Sequence, residues 1–139
     1  MNRYALRTGE YLAISPDAIQ RDQDGFFLML GPDVPESERV GSVAIVHVRG
    51  ALAHYKTGGG DSYEAIEERV RAAFDDDPAA VVLRIESPGG VVAGLNETVL
   101  RLRATSAERG IPLIAYVDEM AASAAYAIAC ACSEIFAPE

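Results

Sequence analysis

The sequence predicts an α/β domain built on a parallel sheet with crossover helices, and three observations predict it. Short apolar runs rich in Val, Ile and Leu occupy residues 42–48, 81–86 and 111–117, and a stretch with helical periodicity follows each one. The second run passes straight into Ser87-Pro-Gly-Gly90 before its helix begins. The third is joined only by Asp118-Glu-Met120 to an Ala-rich stretch that contains Ser123. Alternation of this kind builds a parallel sheet with right-handed crossovers.

The chain has 139 residues, is 50% hydrophobic and carries a formal net charge of -9. That suits one globular domain, or part of one. The acidic balance argues against a nucleic-acid binder, which would show a basic face. No apolar run approaches the length of a bilayer span, and no charged-then-apolar signal segment opens the chain. The expectation is a cytoplasmic protein with no membrane span.

Residues 1–40 read as an amino-terminal extension and linker, packed on the domain or on a neighbouring subunit. Within them, 11–14 suit a short strand, 15–20 a short helix, 26–30 a compact apolar strand and 31–38 a polar, Pro-containing linker. Residues 41–139 read as the domain proper. The run 42–48 is apolar on both faces, as a central strand of a covered sheet should be. Arg49-Gly-Ala-Leu-Ala53 continues it as a turn and short strand. His54-Tyr-Lys-Thr-Gly-Gly-Gly60 is a glycine loop but no phosphate loop, because its lysine precedes the glycines.

Asp61 or Ser62 caps a helix that runs to about residue 74 and turns Tyr63, Ile66, Val70 and Phe74 to one face. Asp75-Asp-Asp-Pro78 ends it, read as a solvated helix end rather than a metal site. After strand 81–86 and the Gly-Gly loop, Val92, Leu95, Val99 and Leu102 recur at helical spacing until Gly110 closes the helix. Strand 111–117, the Ser123 helix and a short strand at 134–137 complete the order. Cys130 and Cys132, two apart on a helix, point in different directions, a poor spacing for a disulfide. They read as small buried residues of a reducing compartment, with no companions for zinc. No metal and no cofactor is expected.

Two stretches carry chemistry. A serine where a strand turns sharply into a helix projects its hydroxyl past the sheet edge, beside the free N–H groups of the helix start. Ser123 occupies such a junction, although on this segment alone a capping role outweighs a chemical one, since Ser is a preferred N-cap. The Gly-Gly loop changes that weighing. Gly89 and Gly90 can bring backbone N–H groups to a ligand without a Cβ in the way, and so build an oxyanion hole from main chain. An ordinary βα turn would use Pro-Gly as well. Two such units in series are harder to reduce to turns.

The pattern Arg84-Ile-Glu-Ser-Pro-Gly-Gly90 followed by Met120-Ala-Ala-Ser-Ala-Ala-Tyr126 resembles the signal peptide peptidase A family of serine peptidases. More closely it is similar to the branch containing capsid maturation (prohead) proteases of tailed phages and their prophage relatives. The resemblance spans roughly residues 40–139 and takes in Gly60-Asp-Ser-Tyr-Glu-Ala-Ile66 as the start of the family's first helix. The family's Ser-Gly-Gly is Ser123-Ala-Ala125 here, which keeps small residues after the serine. The resemblance implies a Clp-protease/crotonase fold and a serine endopeptidase of the Ser-Lys dyad type. Ser123 would be the nucleophile, and the N–H groups of Gly89, Gly90 and Ala124 would serve the oxyanion and the substrate.

A serine nucleophile needs a base. His47 and His54 both precede Ser123, and His47 inside an apolar strand reads as a core histidine. The family's base is a lysine made reactive by burial, lying in the phage branch some tens of residues beyond the serine. The one lysine here is Lys56, in the glycine loop and outside any matching motif. The chain therefore reads as the amino-terminal half of the domain, carrying nucleophile and oxyanion loop without the downstream base, and as such hydrolyses peptides very slowly or not at all. The expected partners are a protein or peptide substrate, further copies of the chain in a homo-oligomer, and capsid or scaffold proteins. The alternatives are a non-catalytic assembly or scaffold module, and a crotonase-like acyl-CoA enzyme, whose chemistry has no need of a serine at position 123.

Overall fold

The computed structural model describes residues 36–55 and 60–138 in full, and the backbone alone at residues 12–14, 20–21 and 27–28. The elements run β1 (Leu12–Ile14), β2 (Gln20–Arg21), β3 (Phe27–Leu28), β4 (Ser37–Val40), β5 (Val43–Ala53), β6 (Asp61–Ser62), α1 (Tyr63–Asp75), β7 (Ala80–Val91), α2 (Leu95–Arg109), β8 (Leu113–Ala121), α3 (Ala124–Ala129) and β9 (Glu134–Phe136). The main sheet is ordered β4-β5-β7-β8-β9, with β6 pairing β5 and β1 pairing β7. The pairs β5–β7, β7–β8 and β8–β9 are parallel. The three strands expected from the apolar runs are neighbours, and the domain is α/β with a mostly parallel sheet.

The core is built from alternate strand positions. Val46 and Val48 of β5, Leu83 and Ile85 of β7 and Ala115 of β8 are fully buried. They form one cluster with Ile66, Val70 and Phe74 of α1, Leu102 of α2 and Ile128 of α3. The intervening residues Val43, Ile45, Val82 and Ile114 are only half-buried, and Tyr116 is exposed. Successive strand side chains point to opposite faces, so the helices cover one face much more completely than the other. This departs from the expectation of a sheet sealed on both faces.

Helix α1 starts where the sequence allows a cap. The Ser62 hydroxyl accepts from the Ala65 N–H at 3.2 Å, a bond worth about 1 kcal/mol to the helix. Asp61, the other candidate, accepts from the Ser62 N–H and pairs with Arg69 at 2.5 Å. Burial pushes the Asp61 carboxyl up, with the Arg69 guanidinium opposing. All four expected core residues of α1 are buried. The acidic end is tied down where Asp75 pairs with Arg109. Helix α2 ends at Gly110 as expected, with φ 64° and its N–H on the Ala107 carbonyl. It begins at Leu95, later than the periodicity suggested: Gly94 at φ 83° is its N-cap, and Val92 stands outside it, half-exposed.

Other expectations need correction. Residues 37 and 38, read as linker, begin β4, which pairs antiparallel with β5. Residues 87–90, read as a loop, are extended and with Val91 belong to β7. The turn signal of Pro88 and the glycines is overridden by pairing along both edges. Glu86 and Gly89 face Arg49 and Ala51 across a register shift, so Pro88 falls in the irregular step of the β5 ladder, and it lies just past Ser87–Ala121, the last pair of the β8 ladder. A residue without an N–H is tolerated in a strand at such a step. Of the 15–20 helix, residues 15–19 lie outside the described residues and Gln20 is in β2. Cys130 and Cys132 are free thiols. Burial, then the Cys130 neighbour, pushes the Cys132 thiol up to about 12.

His47 lies in β5 on the less covered face yet is buried, because β4 crosses beside it. Its Nε2 lies 3.1 Å from Glu38 Oε1. Burial holds its pKa below the usual 6.5, overcoming the raising effect of the Glu38 bond. The unfolded chain therefore binds more protons than the folded one just below pH 6.5, and stability falls as pH drops through that window. Urea midpoints measured from pH 7 to 5 are expected to show this loss, at up to about 1.4 kcal/mol per pH unit. His47→Gln is expected to flatten the slope; an unchanged slope would assign it to other groups.

Candidate functional site

Because β5, β7 and β8 are parallel, their carboxyl ends share one edge of the sheet, where ligands of open α/β sheets bind. That edge carries residues 87–91 of β7 and the step from β8 into α3, with Ser123 between them.

Ser87 joins the parts, and sequence reading had passed over it as a loop residue. It is fully buried. Its hydroxyl donates to the Gly50 carbonyl at 2.7 Å and accepts from the Gly89 N–H at 3.1 Å. Its own carbonyl accepts from the Ala122 N–H at 3.1 Å. One residue thus ties the bulge of β5 at Gly50, the glycine pair of β7 and the residue before Ser123. A serine directly after a strand and before Pro-Gly-Gly was the available signal. Ser87→Ala leaves a buried donor and acceptor without their partner, at about 1–3 kcal/mol each. The expected result is a fall of that order in unfolding free energy, measured in urea. A loss below about 0.5 kcal/mol would mean that water replaces the hydroxyl.

Glycine is required at both positions of the pair. Gly89 has φ 100°, a region that residues with a Cβ rarely enter. A Cβ on Gly90 would stand 1.8 Å from the Leu52 carbonyl oxygen. The Gly89 N–H is held by Ser87, as described above. Gly90 lies opposite Leu52 of β5 on one side and Ala13 of β1 on the other.

Ser123 does not act as a helix cap. Its backbone is at φ 52° and ψ -116°, and its side chain makes no cap hydrogen bond. A non-glycine residue there stores on the order of 1–3 kcal/mol of strain. The residue is exposed. The turn is fixed around it: the Ala125 N–H donates to the Ala122 carbonyl at 3.0 Å, and the Ala127 N–H to the Ser123 carbonyl at 3.1 Å. Ala124 and Ala125 are buried against the sheet, which explains the need for small residues after the serine. Among the described residues, no acceptor meets the Ala124 N–H.

Neither histidine joins Ser123. His47 pairs with Arg84, which pairs with Tyr116, so it sits in mid-sheet, well short of the edge. His54 packs over Gly94, where a Cβ would stand 1.9 Å from its Nδ1. With Tyr55, Tyr63, Glu64, Thr98 and Arg101 it lines a cleft of about 380 Å³ whose walls do not include Ser123. Lys56 lies outside the described residues. No group of three or more potential metal ligands occurs among the described residues. No helix among them is long and apolar enough to cross a membrane. No protein-family model matches the chain.

Proposed function

We propose that the chain is a serine peptidase domain of the Clp-protease/crotonase type, related to the signal peptide peptidase A family and closest to its phage capsid maturation branch. One observation carries the reading: Ser123 holds a strained backbone, an exposed hydroxyl and no capping bond, at the end of β8 beside the Ser87-Pro-Gly-Gly90 extension of β7. Strain of this kind persists at sites whose surroundings over-determine them, and an elbow that lifts a serine between strand and helix is the geometry of an acyl-transfer nucleophile.

In this reading the Ser123 hydroxyl attacks a peptide carbonyl, its proton passes through a base to the departing amine, and the C–N bond breaks to leave an acyl-enzyme. The N–H groups of Gly90 and Ala124 hold the developing oxyanion. Gly89, engaged by Ser87, sets the shape of the extension. The proton acceptor is the lysine of the family, and Lys56 stands in no matching motif. Peptide turnover by the chain alone is then very slow. The test must accordingly need no turnover. A fluorophosphonate is expected to add once, at Ser123, as read by intact mass and peptide mapping. Ser123→Ala should abolish the adduct. An adduct that survives the substitution, or one that maps to another residue, would sink the nucleophile assignment.

A non-catalytic assembly role is favoured by one different observation. Among the described residues β9 is an edge strand; it exposes Ile135 and Phe136, and Tyr116 lies opposite Phe136 and is exposed too. An apolar, unpaired edge is a template for another chain. A homo-oligomer through this edge is compatible with the peptidase reading and would stand without it.

A further inference from the structure

β1 stands apart from the strands it joins. β5 and β8 run parallel to β7, whereas Leu12–Ile14 pairs antiparallel with it, setting Leu12 against Val91, Ala13 against Gly90 and Ile14 against Gly89. The reason for the gap it fills is local. β8 accompanies β7 only as far as the Ser87–Ala121 pair and then turns away through Ser123 into α3. Beyond Ser87 that edge of β7 has lost its neighbour, and its backbone groups need another partner. A three-residue strand from the amino-terminal segment supplies it.

We propose that β1 is a displaceable internal occupant of a peptide-binding edge, so that the chain's own amino-terminal segment competes with an extended peptide for residues 89–91. The proposal rests on the reading of this edge as a peptide site and adds what controls access to it. An extended peptide adding to a sheet edge gains main-chain hydrogen bonds whatever its sequence, and β1 already makes that kind of contact. Three residues form a short ladder, so exchange is feasible. The tether makes the competitor strong, because a covalently linked segment acts at an effective concentration on the order of millimolar.

The test weakens β1 in the full chain. Successive N–H groups of a strand point to opposite edges, so the double variant Leu12→Pro/Ala13→Pro removes one on the β7 side in either phase. The probe is a fluorescent synthetic peptide with the sequence of residues 10–16, followed by anisotropy. The expected result is binding tighter than that of the unaltered protein by about tenfold or more. Equal or weaker binding overturns the proposal. A second measurement needs no variant: excess unlabelled peptide added to the unaltered protein should speed hydrogen exchange at the amides of residues 12–14, and no change there overturns the proposal. Fluorophosphonate labelling separates this proposal from the peptidase reading. Tighter peptide binding with a fluorophosphonate adduct that Ser123→Ala does not remove leaves strand exchange standing and removes Ser123 as the nucleophile. An adduct at Ser123 with no gain in peptide binding does the reverse.

Discussion

Gly90→Ala is expected to lower the unfolding free energy by roughly 3 kcal/mol or more, enough to unfold a marginally stable domain. The added Cβ would stand 1.8 Å from the Leu52 oxygen, 2.5 Å from its carbonyl carbon and 2.6 Å from its nitrogen. All three are backbone atoms of β5, so no rotamer change can make room. Relief requires β5 and β7 to part at a paired position of the sheet. Overpacking that a side chain can absorb costs about 1–3 kcal/mol, and here the backbone itself must move. Gly110→Ala is the control. Its φ is positive, at 64°, unlike that of Gly90, but nothing lies within 4 Å of its new Cβ. Its expected cost is only the left-handed strain of a helix C-terminus, about 1 kcal/mol. Urea midpoints of the two variants decide the matter. If Gly90→Ala is no worse than Gly110→Ala, the close approach of β5 to β7 is not what that glycine serves.

This contrast also marks how far the sequence was legible. The central strands were plain because Val, Ile and Leu runs bounded by turn residues have few other uses in an acidic, globular chain. Helix α1 was plain because Ser62, four apolar positions at helical spacing and the acidic stop agree. The extension of β7 was hidden because local and tertiary signals conflict there. Ser-Pro-Gly-Gly reads as a turn in isolation, while pairing partners supplied by β5 and β1 hold it extended. Nothing in the segment itself announces a partner so far away in the chain. β4 was hidden for a similar reason: Ser37-Glu-Arg-Val40 is polar and wholly exposed, so it has no apolar alternation to reveal it. Ser87 was hidden by its company, since a serine before Pro-Gly looks like turn chemistry. Its two hydroxyl bonds join residues distant in sequence. For Ser123 the segment alone favoured a cap and only the Gly-Gly loop turned the reading toward a nucleophile; the dihedral angles and the missing side-chain bond remove the capping role.

Those angles carry a second strong expectation. Ser123→Gly should abolish fluorophosphonate labelling completely and, in the same protein, raise stability. Labelling goes because the hydroxyl goes. Stability rises because φ 52° and ψ -116° cost glycine little, whereas a residue with a Cβ pays on the order of 1–3 kcal/mol there. Part of that gain is returned through the greater freedom of glycine in the unfolded chain, leaving a net increase of about 1 kcal/mol. Ser123→Ala separates the two effects. It removes the hydroxyl and keeps the Cβ, so it should lose all labelling with little change in stability, there being no capping bond to lose. A capping serine would behave oppositely, with Ser→Ala costing about 1 kcal/mol and Ser→Gly only a few tenths. The sign of the two stability changes therefore distinguishes a strained nucleophile from a cap without any substrate being known. If both substitutions destabilise the protein, Ser123 is held in place for structure, and the strain at this turn has no catalytic meaning.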